Sequence, residues 1–299
     1  MQTAESLRRT INVAQELHSV VKTMKALAGV NIRQYERAAH AVAEYNRTVE
    51  MGLQIALRHL PEQLTAPASV GKPGSGGKLG AIVFGSDQGM CGQLNDQVVQ
   101  HAATALEKLR RHHNIQLMAA VGVRAASQLE GLGRIMESTV QVPGSVTGIT
   151  AAVEVVLSQI EDWHFRRGVE FVVLFYARPV SGAWYRVRGV RLLPVDEEWI
   201  NSVRAKPWPG KTIPMFTMDE TRLFQALIRE YLFVSLFRAF AESLASENAS
   251  RLASMQVAER NIEDRLHSLT AESRQLRQET ITSELLETIA AFEALRGRG

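Results

Sequence analysis

Both ends of the chain carry long stretches without proline in which apolar residues recur every seven positions. The first stretch runs from Glu5 to about Leu60. A sustained seven-residue repeat keeps an apolar seam facing a partner helix. We therefore predict a single helix over residues 1–60. Its repeat consists of Leu7, Ala14, Val21, Ala28, Tyr35, Val42, Val49 and Ala56, and we place the second line of the seam at Ile11, Leu17, Met24, Ile32, Ala38 and Tyr45.

The second stretch, from Asp219 to Leu295, contains neither proline nor glycine. Met255, Ile262, Leu269 and Leu276 fall seven apart within it. We predict a helix over residues 219–299. At about 1.5 Å per residue the two terminal helices would be roughly 80 and 115 Å long. We expect them to pair antiparallel into a shaft, because the rest of the chain lies between them in sequence.

The middle of the chain has a different pattern. Short apolar runs such as "LGAIVFGSD", "IQLMAAVG" and "GVEFVVLFYAR" alternate with amphipathic segments. This alternation is typical of a mostly parallel sheet with helices on both faces. We predict a Rossmann-like α/β domain over residues 78–200. A linker rich in proline and glycine (61–77) precedes it, and a proline-containing loop (201–218) follows it.

Composition excludes several classes of protein. The net charge of +3 is too small to indicate a nucleic-acid partner. The single cysteine, Cys91, cannot form a disulfide within the chain and favours a reducing compartment. No run of about 18 uncharged apolar residues is present, so we expect no membrane span.

One glycine-rich motif, "GSDQGMCGQLND" (Gly85–Asp96), follows the first predicted strand. Such turns can bind phosphate, but this spacing fits neither of the common nucleotide-binding patterns. A tight turn that needs glycine torsions is the favoured interpretation. Cys91 has no assigned histidine partner, and His101, His112 and His113 lack a spacing that completes a metal site. We expect no catalytic residue, cofactor or metal.

Three widely separated stretches together resemble the γ subunit of F-type rotary ATP synthases. "LRRTINVAQELHSVVKTMKAL" is similar to the first helix of that family, and "GSDQGMCGQLND" to its signature after the first strand. "SENASRLASMQVAERN" and "RQETITSELLE" are similar to blocks of its C-terminal helix. The resemblance covers nearly the whole chain.

The resemblance implies that the paired helices occupy the centre of a ring of three α and three β subunits. The α/β domain would rest, with the ε subunit, on the membrane ring of c subunits, at the cytoplasmic face of the bacterial inner membrane. Flow of protons or sodium ions would turn this rotor and drive ATP synthesis, and ATP hydrolysis would turn it in reverse. The chain itself would hold no catalytic site.

The family motifs also imply positions at which the rotor meets the ring. On the first helix these are Lys22 and Met24. On the C-terminal helix Arg251, Met255, Arg277, Gln278, Thr282, Glu284 and Glu287 match family residues that contact the ring or pack against the first helix. The alternative interpretation of these charged and polar residues is exposed, solubilising polarity.

Two departures from the family pattern stand out: Lys25 occupies a usually acidic position, and Gln88 a commonly basic one. From them we hypothesise a divergent γ subunit of the alternative N-type rotary ATPase. A coiled-coil scaffold without a role in rotation is the competing hypothesis, because heptad repeats report only helix pairing.

Overall fold

The computed structural model describes residues 4–59, 77–110, 113–180, 183–208, 210–212 and 214–296. Two long helices flank a series of strands and shorter helices. In chain order the elements are α1 (Ala4–His59), β1 (Lys78–Phe84), α2 (Leu94–Leu109), β2 (Asn114–Val121), α3 (Val123–Gly131), β3 (Ser138–Val140), α4 (Val146–Arg167), β4 (Val169–Val180), β5 (Ala183–Leu193), α5 (Glu197–Ala205) and α6 (Glu220–Arg296).

The chain divides into two compact units. One consists of its two ends, Met1–Leu27 and Leu252–Gly299, and the other of Ala28–Arg251. Both α1 and α6 therefore supply residues to both units. No helix in the described ranges has the length and apolarity needed to cross a membrane.

In the unit formed by the chain ends, α1 and α6 pair antiparallel. Lys25 is bonded to Glu259, and His18 Nε2 lies 3.3 Å from Glu263 Oε1. The α6 partner thus moves toward the C-terminus as the α1 residue moves toward the N-terminus. The apolar residues buried here are Leu7, Val21, Met255 and Leu269. This confirms the long terminal helices and places the predicted seven-residue repeat at the buried seam.

Two of the six residues predicted for the second line of the seam lie outside it. Leu17 and Tyr45 are 53% and 47% exposed. The other four, Ile11, Met24, Ile32 and Ala38, are buried or partly buried, and His18 and Lys25 are partly buried as well. In a heptad the second core position follows the first by three residues or by four, depending on the starting line. Choosing the more apolar residue at each step led to Leu17, whereas the helix turns His18 inward.

The unit that comprises Ala28–Arg251 contains one five-stranded sheet with the order β3-β2-β1-β4-β5. The first four strands are parallel neighbours, and β5 runs antiparallel to β4. Because alternate residues of a strand point to opposite faces, Ile82 and Phe84 pack against α4 and α6, whereas Ala81 and Val83 pack against α2 and α3. This arrangement confirms the predicted α/β domain with a mainly parallel sheet.

Two connecting segments behave differently from each other. The predicted linker, 61–77, lies outside the described residues except for Gly77. The predicted loop, 201–218, begins within α5, which ends at Ala205. Asp196 caps this helix: its side chain accepts a hydrogen bond from the backbone N–H of Glu198. The prolines that indicated a loop all lie after the helix.

Candidate contact surface on the terminal helices

Residues 277–290 of α6 form a continuous exposed stretch of the helix. Four of them are large and apolar, with exposed fractions of 47–62%: Ile281, Leu285, Leu286 and Ile289. Large apolar side chains that cluster on a surface indicate a site of contact with another molecule. We call residues 277–290 the terminal contact segment.

Five of the predicted contact residues lie in the terminal contact segment, namely Arg277, Gln278, Thr282, Glu284 and Glu287. Gln278 and Thr282 are one helical turn apart and share a face. The hydroxyl of Thr282 donates to the backbone carbonyl of Gln278 at 2.8 Å, which holds its methyl group in a fixed direction. The segment therefore offers a partner both polar and apolar side chains.

The two predicted contact residues of α1 have different environments. Lys22 is exposed, and Met24 is partly buried. The positive charge of Lys22 acts on Glu259 of α6, though less strongly than that of Lys25. Lys22 is thus available for an acidic partner, whereas Met24 already has part of its surface covered within the chain.

The remaining two predicted residues, Arg251 and Met255, are buried. Arg251 is 9% exposed, and its Nη2 donates to Glu247 Oε1 at 2.6 Å; Met255 is 3% exposed. Burial raises the pKa of the Glu247 carboxyl above its usual value, and the guanidinium of Arg251 opposes this without cancelling it. A contact between Arg251 and another subunit would have to replace this buried pair.

A polar layer that the sequence reasoning did not find interrupts the seam between α1 and α6. It consists of His18 and Lys25 on α1 and of Glu259 and Glu263 on α6. The hydrogen bond from Lys25 holds the pKa of the Glu259 carboxyl below its usual value. Lys25 follows Val21, a position of the seven-residue repeat, by four residues, so this spacing could have placed it in the seam. In the sequence analysis Lys25 appeared only as a departure from the family pattern.

Three groups of this polar layer are close enough to share a metal ion. The ligand atoms of His18, Glu259 and Glu263 lie within 4.8 Å of one another. However, the ammonium of Lys25 is already bonded to Glu259 and supplies the charge that a cation would bring. Polar groups at core positions of paired helices fix register and partner choice, and this arrangement is of that kind.

The glycine-rich motif forms a tight turn in which the side chains of Ser86, Asp87 and Asn95 are hydrogen-bonded within the fold. Asn95 accepts a hydrogen bond from the Ser86 backbone N–H at 2.9 Å and donates to the Ser86 hydroxyl at 2.8 Å. The Asp87 carboxylate accepts from the backbone N–H groups of Val123 and Val142. A Cβ atom at Gly85 would lie 2.5 Å from the Cβ of Ala125, so only glycine fits there.

The same turn holds α6 in place. Cys91 is 2% exposed, and its backbone carbonyl accepts a hydrogen bond from the Ser250 hydroxyl at 2.6 Å. Two parts of the sequence that resemble family motifs, 159 residues apart, therefore meet in one contact. This gives the motif a structural role in fastening the C-terminal helix to the sheet.

The fold defines a class of protein with two long terminal helices that pair with each other. An α/β domain lies between these helices in the sequence. A family model described as ATP synthase matches residues 3–295. The chain belongs to this ATP synthase family.

Known relatives agree with that assignment. The ATP synthase gamma chain of Nautilia profundicola is 23% identical over 99% of this chain and 100% of its own length. The ATP synthase gamma chain of Paramagnetospirillum magneticum is 27% identical with the same coverage.

A solved structure has the same fold. A chain in the Euglena gracilis mitochondrial ATP synthase, solved as OSCP, F1 and c-ring in rotational state 3, aligns with a TM-score of 0.63 at 18% identity. The alignment covers 98% of this chain and 94% of that one.

Proposed function

We propose that the chain is the central-stalk rotor subunit, γ, of an ATP synthase. It couples ion flow through a membrane c-ring to ATP synthesis or hydrolysis in a surrounding ring of α and β subunits. The observation that carries this proposal is the terminal contact segment: an extension of a long paired helix that exposes four large apolar side chains. The family match across residues 3–295 and the names of its relatives support it.

The pairing of α1 and α6 and the side chains they expose meet the physical requirements of a rotor. The buried seam and the polar layer hold α1 and α6 together, so torque applied to one is shared with the other. Polar and apolar groups mixed along the terminal contact segment allow contact without a single dominant anchor. A rotor that bound one angle far more tightly than the others would be trapped there.

The predicted ring contacts divide by exposure. We propose that Lys22, Gln278, Thr282, Glu284 and Glu287, with Arg277, meet the ring directly. Met24 would meet it with the part of its surface left open. Arg251 and Met255 stay predictions, and their burial favours a role in holding α6 in position.

The finer assignments follow the same proposal. The partners are the α and β subunits, the ε subunit and the c-ring, without nucleic acid, and the complex is peripheral at the cytoplasmic face of a bacterial inner membrane. We retain the hypothesis of a divergent, N-type complex. Recovery of the chain from its host solely with the standard α and β subunits would contradict that hypothesis.

The test is co-expression of the chain with the α and β genes of its own operon, followed by size-exclusion chromatography and an ATPase assay. We expect a complex of three α, three β and one γ subunit whose activity requires this chain. A chain that elutes alone, with α and β equally active without it, would contradict the rotor role. That result would support the competing hypothesis of a coiled-coil scaffold, which the family match does not favour.

A further inference from the structure

The strand β5 forms an open edge of the sheet. Its one neighbour in the described part of the chain is β4. The four consecutive residues 188–191 are all exposed. An edge strand presents a row of backbone N–H and C=O groups to which a further strand can bind.

The β4–β5 pair also continues beyond the rest of the sheet. The pairing of β1 with β4 ends at Val83 and Phe175, whereas the pairing of β4 with β5 continues to Val180 and Ala183. The described part of β5 opposite this extension therefore belongs to a two-stranded ribbon. A ribbon of two strands gains stability when a third strand joins it.

One face of this ribbon carries a row of arginines. Arg186 lies directly opposite Arg178, and Arg188 lies opposite Tyr176. Tyr176 belongs to the apolar cluster that contains residues of α6, so the arginines lie on the α6 side of the sheet. Like charges placed directly opposite each other on neighbouring strands are destabilising.

Among the described residues, one buried carboxylate serves the arginines of that face. Glu242 is shared by two guanidiniums: Arg238 Nε lies 2.8 Å and Arg178 Nε 3.3 Å from its Oε1. Glu36 and His40 of α1 line the cleft beside these groups. Within the described ranges, Arg186 and Arg188 have no acidic partner. This face of the edge therefore holds a surplus of positive charge.

The opposite face of β5 is balanced. Arg191, which pairs with Val173 on the α2 side, lies 3.3 Å from the carboxylate of Asp196. Charge on an edge strand commonly serves to keep chains apart. The contrast between a neutralised Arg191 and the unneutralised pair on the α6 side indicates an acidic partner for that side.

We propose that the free edge of β5 receives a β-strand of a partner subunit with carboxylates at positions i and i+2. Backbone hydrogen bonds would join the strands, and the two carboxylates would face Arg186 and Arg188. This inference rests on the proposed assembly of the chain into a multisubunit complex. It assigns to β5 a docking surface separate from the terminal contact segment.

The first experiment measures hydrogen–deuterium exchange over residues 186–190 in the complete complex, co-expressed from its own operon, and in the full-length chain alone. We expect exchange about tenfold slower in the complex. Double substitution Arg186→Glu and Arg188→Glu should remove this protection and leave the ATPase activity of the α, β and γ core intact. Arg191→Glu, on the opposite face, is the matched control and should keep the protection.

A second experiment identifies the occupant. Arg188→Lys keeps the charge and supplies an amine that a carbodiimide can join to a neighbouring carboxylate. A cross-link from residue 188 to an acidic strand of another subunit supports the proposal, and a cross-link to a second copy of this chain overturns it. Equal exchange in the complex and the free chain would also overturn it, whereas failure of the unsubstituted chain to assemble would contradict the proposed function itself.

Discussion

The hydroxyl of Ser250, on α6, donates a hydrogen bond to the backbone carbonyl of Cys91, 2.6 Å away in the turn that follows β1. Both residues are buried. This contact joins α6 to the turn that connects β1 with α2. The position of Ser250 on α6 is therefore tied to a turn formed far away in the sequence.

Substitution Ser250→Ala should lower the free energy of unfolding of the full-length chain by about 1–2 kcal/mol, because the buried carbonyl of Cys91 loses its donor. Urea denaturation followed by circular dichroism measures this change. Thr280→Ala is the control, since the Thr280 hydroxyl donates only to its own helix at an exposed position. Equal losses in the two variants would show that the contact with Cys91 has no special role.

The ion pair between Lys25 and Glu259 should make the pairing of the chain ends sensitive to acid. The pKa of Glu259 is lowered in the folded state, so its contribution to stability is present above its unfolded pKa and is lost as pH falls through the folded value. Thermal unfolding measured from pH 6 to pH 3 should show this loss. In Lys25→Met the dependence should be weaker, and an unchanged pH profile would argue that the pair does not persist in solution.

Tyr176 should contribute to alkaline unfolding. Burial, with the nearby Glu242 carboxylate, raises the pKa of Tyr176 from 10.0 to about 12. Its contribution to stability is therefore complete below pH 10 and is lost as pH rises through 12, with a magnitude of about 3 kcal/mol. Tyr176→Phe should unfold with a smaller loss than the unsubstituted chain over this range. Identical pH profiles would mean that the hydroxyl reaches solvent.

The terminal contact segment provides a functional prediction. Double substitution Gln278→Ala and Thr282→Ala should lower the ATPase rate of the α, β and γ complex about three- to tenfold, equivalent to roughly 1 kcal/mol. The free chain should unfold as before, because both side chains are exposed. Gln100→Ala, exposed on α2, is the control. A rate equal to that of the unsubstituted complex would assign these residues to solubility alone.

The positions of the apolar residues in sequence were sufficient to predict the main elements. The heptad from Leu7 to Ala56 reports helix pairing, because burial of a seam needs a fixed period. The alternation of buried strands and amphipathic helices predicted the α/β sheet in the same way. Exposure of Gln278 and Thr282 also followed the simplest expectation for polar helix residues.

Only the tertiary structure decided which polar groups meet. The seven-residue period of apolar residues predicts a line along a helix, but the opposing helix sets the rotation of that helix about its axis. In α1 this rotation turns His18 and Lys25 inward and Leu17 outward. The contact of Ser250 with Cys91 and the shared carboxylate of Glu242 join residues from separate elements, whose approach depends on packing. The sequence by itself determined the family and the elements, because these depend on local pattern; the register, the buried pairs and the open arginine edge depend on the three-dimensional arrangement.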